Sequence, residues 1–97
     1  MAELGSEEVD LRGDWLVQSN RSVVADSTET RIEWLITQRL KRVANDSSGW
    51  EILYRDPRDG RLWELTYLKS EMHGGGPRRL RVLSRDEATA KYAHAAI

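Results

Sequence analysis

Residues 50–67 read WEILYRDPRDGRLWELTY, and the fold class turns on them. Trp50, Ile52 and Tyr54 alternate with Glu51, Leu53 and Arg55, the period of two that a strand imposes on its side chains. Asp56-Pro57-Arg58-Asp59-Gly60 then supplies a turn, with Asp59-Gly60 a strong hairpin signal because glycine accepts a positive φ without strain. Alternation resumes from Arg61 to Leu68, with Trp63, Leu65 and Tyr67 on one face and Leu62, Glu64, Thr66 and Leu68 on the other. A loop from Lys69 to Pro77 leads to a third run, where Leu80 and Val82 oppose Arg79 and Arg81. The pattern predicts an antiparallel meander with strands at about 50–56, 61–68 and 78–84.

Two helices flank it. Upstream, Ile32, Leu35, Ile36, Leu40, Val43 and Ala44 recur at helical spacing. Thr30 with Glu33, or Asp26 with Glu29, offers a capping box, and the turn cluster Asn45 to Gly49 offers a stop. A helix is expected at about 30–45, with Lys41 and Arg42 complementing its dipole. Downstream, Ser84 and Glu87 open a second, alanine-rich helix at about 85–95, where Ala88, Tyr92 and Ala95 share a face. Helices separated from a run of strands argue α+β, with the helices covering one face of the sheet. Residues 1–8 read as a flexible polar leader before one α+β domain over 9–97. Val9 to Val24, broken at Gly13 and at Ser19-Asn20, reads as one or two short strands or an irregular lead-in.

Composition narrows the functional classes. The 97 residues contain no Cys, which removes disulfides, thiolate metal sites and a Cys nucleophile. No apolar run approaches the roughly 20 residues that span a bilayer, and the acidic start is unlike a secretory signal. A cytoplasmic, membrane-free protein is expected. Residues 1–33 hold eight acids and three bases, a net of −5, whereas 34–97 hold eight acids and twelve bases, a net of +4. The bases are interleaved with acids, so solvated faces account for them better than a nucleic-acid groove does.

The chemistry inventory is thin. His94 falls near the end of the C-terminal helix, where solvent exposure is the simpler reading. His73 sits beside Glu71 and before Gly74-Gly75-Gly76, but no second ligand set accompanies it, and Ser70 nearby does not make a triad. The triple glycine is followed by Pro77 and a strand, not a helix, so a phosphate-binding loop is rejected. It fits either a tight backbone approach or a loop presented to a partner. Glu64 and Glu51 on adjacent strands come with no sign of the cleft a glycosidase needs and suit salt bridges to Arg39, Arg79 or Arg81. Trp34 lies opposite the apolar stripe of its helix: packing against the N-terminal segment competes with an exposed aromatic anchor. Arg39 falls inside the stripe and should snorkel to an acid. No catalytic residue, cofactor or metal ligand set emerges.

Gly49-Trp50-Glu51, Tyr54-Arg55-Asp56-Pro57, Trp63-Glu64-Leu65-Thr66-Tyr67 and Ser70-Glu71-Met72-His73-Gly74-Gly75-Gly76-Pro77 form an ordered series. It resembles the motif series of immunity protein family 27 of bacterial polymorphic toxin systems, and the Arg31 to Leu40 helix sits where that family places one. The family favours Pro where this chain has Leu68 and Arg78. The resemblance implies a non-enzymatic cytoplasmic antidote that binds a cognate toxin encoded nearby. Candidate partner-binding residues are Trp34, Trp63, Glu64, Tyr67, Glu71, His73, Gly74, Gly75 and Gly76, with the loop residues Glu71 and His73 preferred because the strand aromatics also suit a core. A nucleic-acid-binding or regulatory module is the alternative, using Arg78, Arg79, Arg81, Lys41 and Arg42 with Trp63 and Tyr67 as stacking platforms. A small hydrolase around His73 and Glu71 ranks third. A homodimer through unpaired sheet edges stays open.

Overall fold

The computed structural model describes residues 1–68 and 76–95. Its centre is a five-stranded antiparallel sheet built from β1 (Asp10–Arg12), β4 (Lys41–Asn45), β5 (Ile52–Arg55), β6 (Leu62–Tyr67) and β7 (Arg78–Leu83). Their order across the sheet is β1-β7-β6-β5-β4. A separate ribbon pairs β2 (Trp15–Val17) with β3 (Val23–Ala25), and two helices, α1 (Ser27–Gln38) and α2 (Arg85–Lys91), complete the α+β fold. No described helix is long and apolar enough to cross a membrane.

The meander forms as the alternation predicts. Tyr54 pairs with Trp63 and Ile52 with Leu65 across β5–β6, while Trp63 meets Val82 and Leu65 meets Leu80 across β6–β7. The Asp59-Gly60 turn closes with Gly60 at φ +79° and the Asp56 amide donating to the Arg61 carbonyl.

The helices, however, lie on opposite faces. The face carrying Tyr54, Trp63, Leu65 and Leu80 joins Ile32 and Leu35 of α1 in one buried cluster. The other face carries Leu53, Leu62 and Leu83, which pack with Ala88 and Tyr92 of α2. Both sides of β5 and β6 are apolar, so one helical layer cannot bury them and each face recruits its own.

The expected helix at 30–45 is shorter and starts earlier. Asp26 is the N-cap, its carboxylate accepting from the Glu29 amide at 2.7 Å, and α1 ends at Gln38. Lys41–Asn45 instead forms the edge strand β4 against β5, with a bulge between Arg42 and Ala44. Val43 and Ala44 both pack on the α2 side. A regular strand would turn adjacent residues to opposite faces, and the bulge lets both point inward. The cluster at 46–49 is therefore a hairpin turn. Asp46 Oδ1 accepts from Ser48 Oγ and from the Gly49 and Glu51 amides, and Gly49 takes φ +80°. The C-terminal helix likewise ends at Lys91, with Tyr92 as its cap.

Residues 1–8 carry contacts that a frayed leader would lack. Leu4 is buried in the α1-side cluster. Arg31 grips the Glu8 carboxylate with both Nη atoms and donates to the Ala2 and Glu3 carbonyls. Arg61 reaches the Gly5 and Glu8 carbonyls, and Arg39 and Arg58 both pair with Glu3. Arg39 thus finds its acid on the N-terminal segment rather than on the sheet.

On the α2 side, Glu64 is fully buried. Its carboxylate accepts from Tyr92 Oη at 2.8 Å and pairs with Lys91 at 2.7 Å and Arg81 at 3.3 Å. Burial, then the Glu64 hydrogen bond, pushes the Tyr92 phenol far above its usual range. Lys91 also pairs with Glu51. Burial pulls its ammonium down, but the bonds to Glu51 and Glu64 outweigh that and raise its pKa. The network fastens α2 to β6.

Four substitutions test these contacts. Glu64→Ala strands Tyr92 and Lys91 and should cost about 3–5 kcal/mol, while Tyr92→Phe should cost about 1–3 kcal/mol; an unchanged urea midpoint for Tyr92→Phe would sink this account of α2. Gly13→Ala should cost about 1–3 kcal/mol, because a Cβ there would overlap the Glu29 carboxylate and lie 2.9 Å from Glu29 Cβ and 3.0 Å from its Cα. The Arg31 hydrogen bond and the Gly5 amide lower Glu8 from an ordinary 4.5 to about 2. Its contribution is therefore complete above pH 4.5 and lost as pH falls towards 2. The Tm gap between the wild type and Glu8→Gln should be widest near neutral pH and close across that window; a gap independent of pH would remove Glu8 from the acid response.

Candidate partner-binding surface

The ribbon and the first turns of α1 enclose an open groove of about 580 Å³, lined by Trp15, Val23, Ala25, Glu33, Trp34 and Arg78 among others. Its geometry is set locally. β1 continues past Gly13 into β2, and the Gly13 amide donates to the Arg78 carbonyl at 2.8 Å. The missing side chain at Gly13 admits Glu29, which is buried and accepts from Arg78 Nε at 2.6 Å and from the Arg78 amide at 3.0 Å. Glu33, one turn later, takes Arg78 Nη2 at 2.9 Å and stays half exposed. Burial opposes the Arg78 charge, but the two carboxylates outweigh it and raise its pKa. At the ribbon base the Asp26 amide donates to the Asp14 carbonyl at 2.9 Å.

The ribbon itself is apolar on both faces. The register Trp15↔Ala25, Leu16↔Val24 and Val17↔Val23 puts Trp15, Ala25, Val17 and Val23 on the groove side and Leu16 and Val24 on the reverse. All six are exposed, Val17 at 73%. Arg21 turns the ribbon at φ +66°, a left-handed conformation that a non-glycine residue holds only when its surroundings require it. Scattered surface hydrophobics are ordinary, whereas a contiguous exposed set makes the ribbon a candidate for an interaction surface.

The sequence-derived candidates divide among three places. Trp34 reaches the groove, half buried at the edge of the core, with the Arg39 guanidinium 4.9 Å above its ring. Tyr67 is half buried at the end of β6 and stacks edge-on with exposed Trp50, ring centroids 6.2 Å apart. Trp63 and Glu64 are wholly buried, on opposite faces of β6, and present nothing to a partner. Gly76 is buried with φ +86°. Glu71, His73, Gly74 and Gly75 lie outside the described residues. Trp15, Leu16, Val17 and Val23 are surface residues that sequence reasoning misses. Their signal is two apolar triplets around the polar turn Gln18 to Ser22, with no indication of which core would fail to cover them.

Among the described residues no group of three or more acids or histidines is placed to hold a metal ion. The surface can bind, by apolar burial framed with carboxylates. No curated protein and no solved structure matches the chain. The model of immunity protein 27 does match, over residues 18–84, a span that runs from the ribbon turn through the whole meander. The chain belongs to the immunity protein 27 family.

Proposed function

We propose that this protein is a cytoplasmic antidote that neutralises a bacterial toxin by direct, stoichiometric binding and without catalysis. The observation that carries the reading is an apolar ribbon left exposed on a member of an immunity protein family. An inhibitor of this kind needs a preformed surface with aromatic anchors, and a reactive centre would add nothing to it. The toxin is expected to be encoded beside this chain.

The nucleic-acid alternative loses its groove. Arg78 is committed to Glu29 and Glu33, Arg79 to Asp10 and Arg81 to Glu64. Trp63 is buried, so it offers no stacking platform.

The test is co-expression with each gene neighbour, this chain carrying the affinity tag. The expected result is one neighbour that kills cells alone, is tolerated in the presence of this chain, and co-purifies with it at a fixed stoichiometry. Neighbours that are harmless alone, or whose lethality persists when this chain is present, would end the antidote reading.

A further inference from the structure

We infer that the β2–β3 ribbon and the groove beneath it are the surface on which the toxin docks, and that they take a toxin segment carrying apolar anchors beside a basic side chain. The inference rests on the antidote reading and specifies its interface.

Charge decides the chemistry of the occupant. The groove is lined by the carboxylates of Glu29 and Glu33 against the guanidinium of Arg78, so its charged side chains carry one more acid than base. Asp26 caps α1 and Glu29 is consumed by Arg78. Glu33 shares that same guanidinium with Glu29 while remaining half exposed at the groove. One guanidinium thus serves two carboxylates, and the second still has an open side towards solvent. A lysine or arginine of the partner completes that pairing, and an apolar side chain beside it fills the space between Trp15, Val23 and Trp34. A second copy of this chain is a poorer occupant, since it would bring the same excess of carboxylates to the contact.

The surroundings extend the surface. Arg78 opens β7 opposite Tyr67, whose ring meets exposed Trp50. The Leu68 amide donates to the Pro77 carbonyl at 3.0 Å, which ties the end of β6 to the start of β7 beside Tyr67 and Arg78. Aromatic side chains therefore continue from the groove across Arg78 to the sheet end, the anchor-and-rim arrangement typical of a tight interface.

The experiment uses the toxin recovered by co-expression, inactivated in its own active site, and titrates it against four full-length proteins by calorimetry. They are the wild type, Val17→Ser with Val23→Ser, Glu33→Lys, and Lys41→Ser on the distant edge strand. Val17 and Val23 are exposed, so circular dichroism of the ribbon variant should match the wild type; Glu33→Lys gives up an ion pair to Arg78, so its Tm is measured and binding is compared well below it. The ribbon double variant and Glu33→Lys should each weaken binding at least tenfold, Lys41→Ser should not, and added salt should weaken the wild type more than Glu33→Lys. Hydrogen exchange should slow at 15–17 and 23–25 in the complex. Tight toxin binding unchanged by both ribbon and Glu33 substitutions overturns the docking surface and leaves the antidote reading standing. A ribbon-dependent homodimer at micromolar concentration overturns it in favour of a second copy. Failure of the wild type to bind any lethal neighbour removes the antidote reading itself.

Discussion

Glu29 meeting Arg78 is the contact on which the proposed docking end of this molecule depends. The carboxylate is buried and takes both the side chain and the backbone amide of Arg78, at 2.6 and 3.0 Å. Glu29 stands in the first turn of α1, and Arg78 opens β7. Between them passes the chain at Gly13, hydrogen-bonded to the Arg78 carbonyl and without a side chain to obstruct the carboxylate. Three elements distant in sequence are held at one point. A buried ion pair of this kind contributes little net stability, since desolvation offsets much of its attraction, but losing one partner leaves a stranded charge that costs about 3–5 kcal/mol. Its effect is on geometry: it sets how the ribbon leaves the sheet and therefore how wide the groove is.

The same logic governs the other face. Glu64, Arg81, Lys91 and Tyr92 join α2 to β6 through a carboxylate with no access to solvent. A seven-residue helix is too short to persist in isolation, so tertiary contacts must hold it. Arginines do equivalent work at the N-terminus, where Arg31, Arg39, Arg58 and Arg61 converge on residues 2–8. The basic excess of the later two thirds of the chain is thus largely committed to internal acids. That distribution explains how a chain with fifteen Lys and Arg residues lacks an open basic face in the region of β7.

The meander, the Asp59-Gly60 turn and the capping of α2 are legible because each is encoded by neighbours in sequence. Alternation at 52–55 and 62–67 fixes which residues share a face, and a capping box needs only residues three apart. The strand at 41–45 is not legible: Lys, Arg and Ala favour a helix, and Leu40, Val43 and Ala44 fit helical spacing as well as they fit a bulged strand. Nor does parity say which face is covered, and here both are, so Trp63 and Glu64 prove to be interior residues. The binding of residues 1–8 depends on charges some 20 to 50 positions away, which no local pattern reveals. Trp34 is legible as a departure from the stripe of its own helix. The ribbon is not, because apolar triplets look the same in sequence whether a core covers them or leaves them bare.

That ambiguity carries the functional argument. Two three-residue strands make a ribbon too small to be stable alone, and leaving Leu16, Val17 and Val23 half or more exposed forgoes part of the roughly 1.5–3 kcal/mol that full burial of each side chain supplies. Neither buried cluster includes the ribbon, so polar residues there would leave both cores intact. What the exposed apolar ribbon offers is area for the proposed contact. It is pinned at its base by Asp14 and Asp26, turned at its tip by an arginine in a left-handed conformation, and oriented by Glu29 and Arg78. A partner meeting a surface already ordered loses less conformational entropy on binding, so apolar area there converts into affinity more fully than it would on a loose loop. The fold thus leaves the ribbon's apolar side chains outside both cores, the feature on which the proposed docking surface rests.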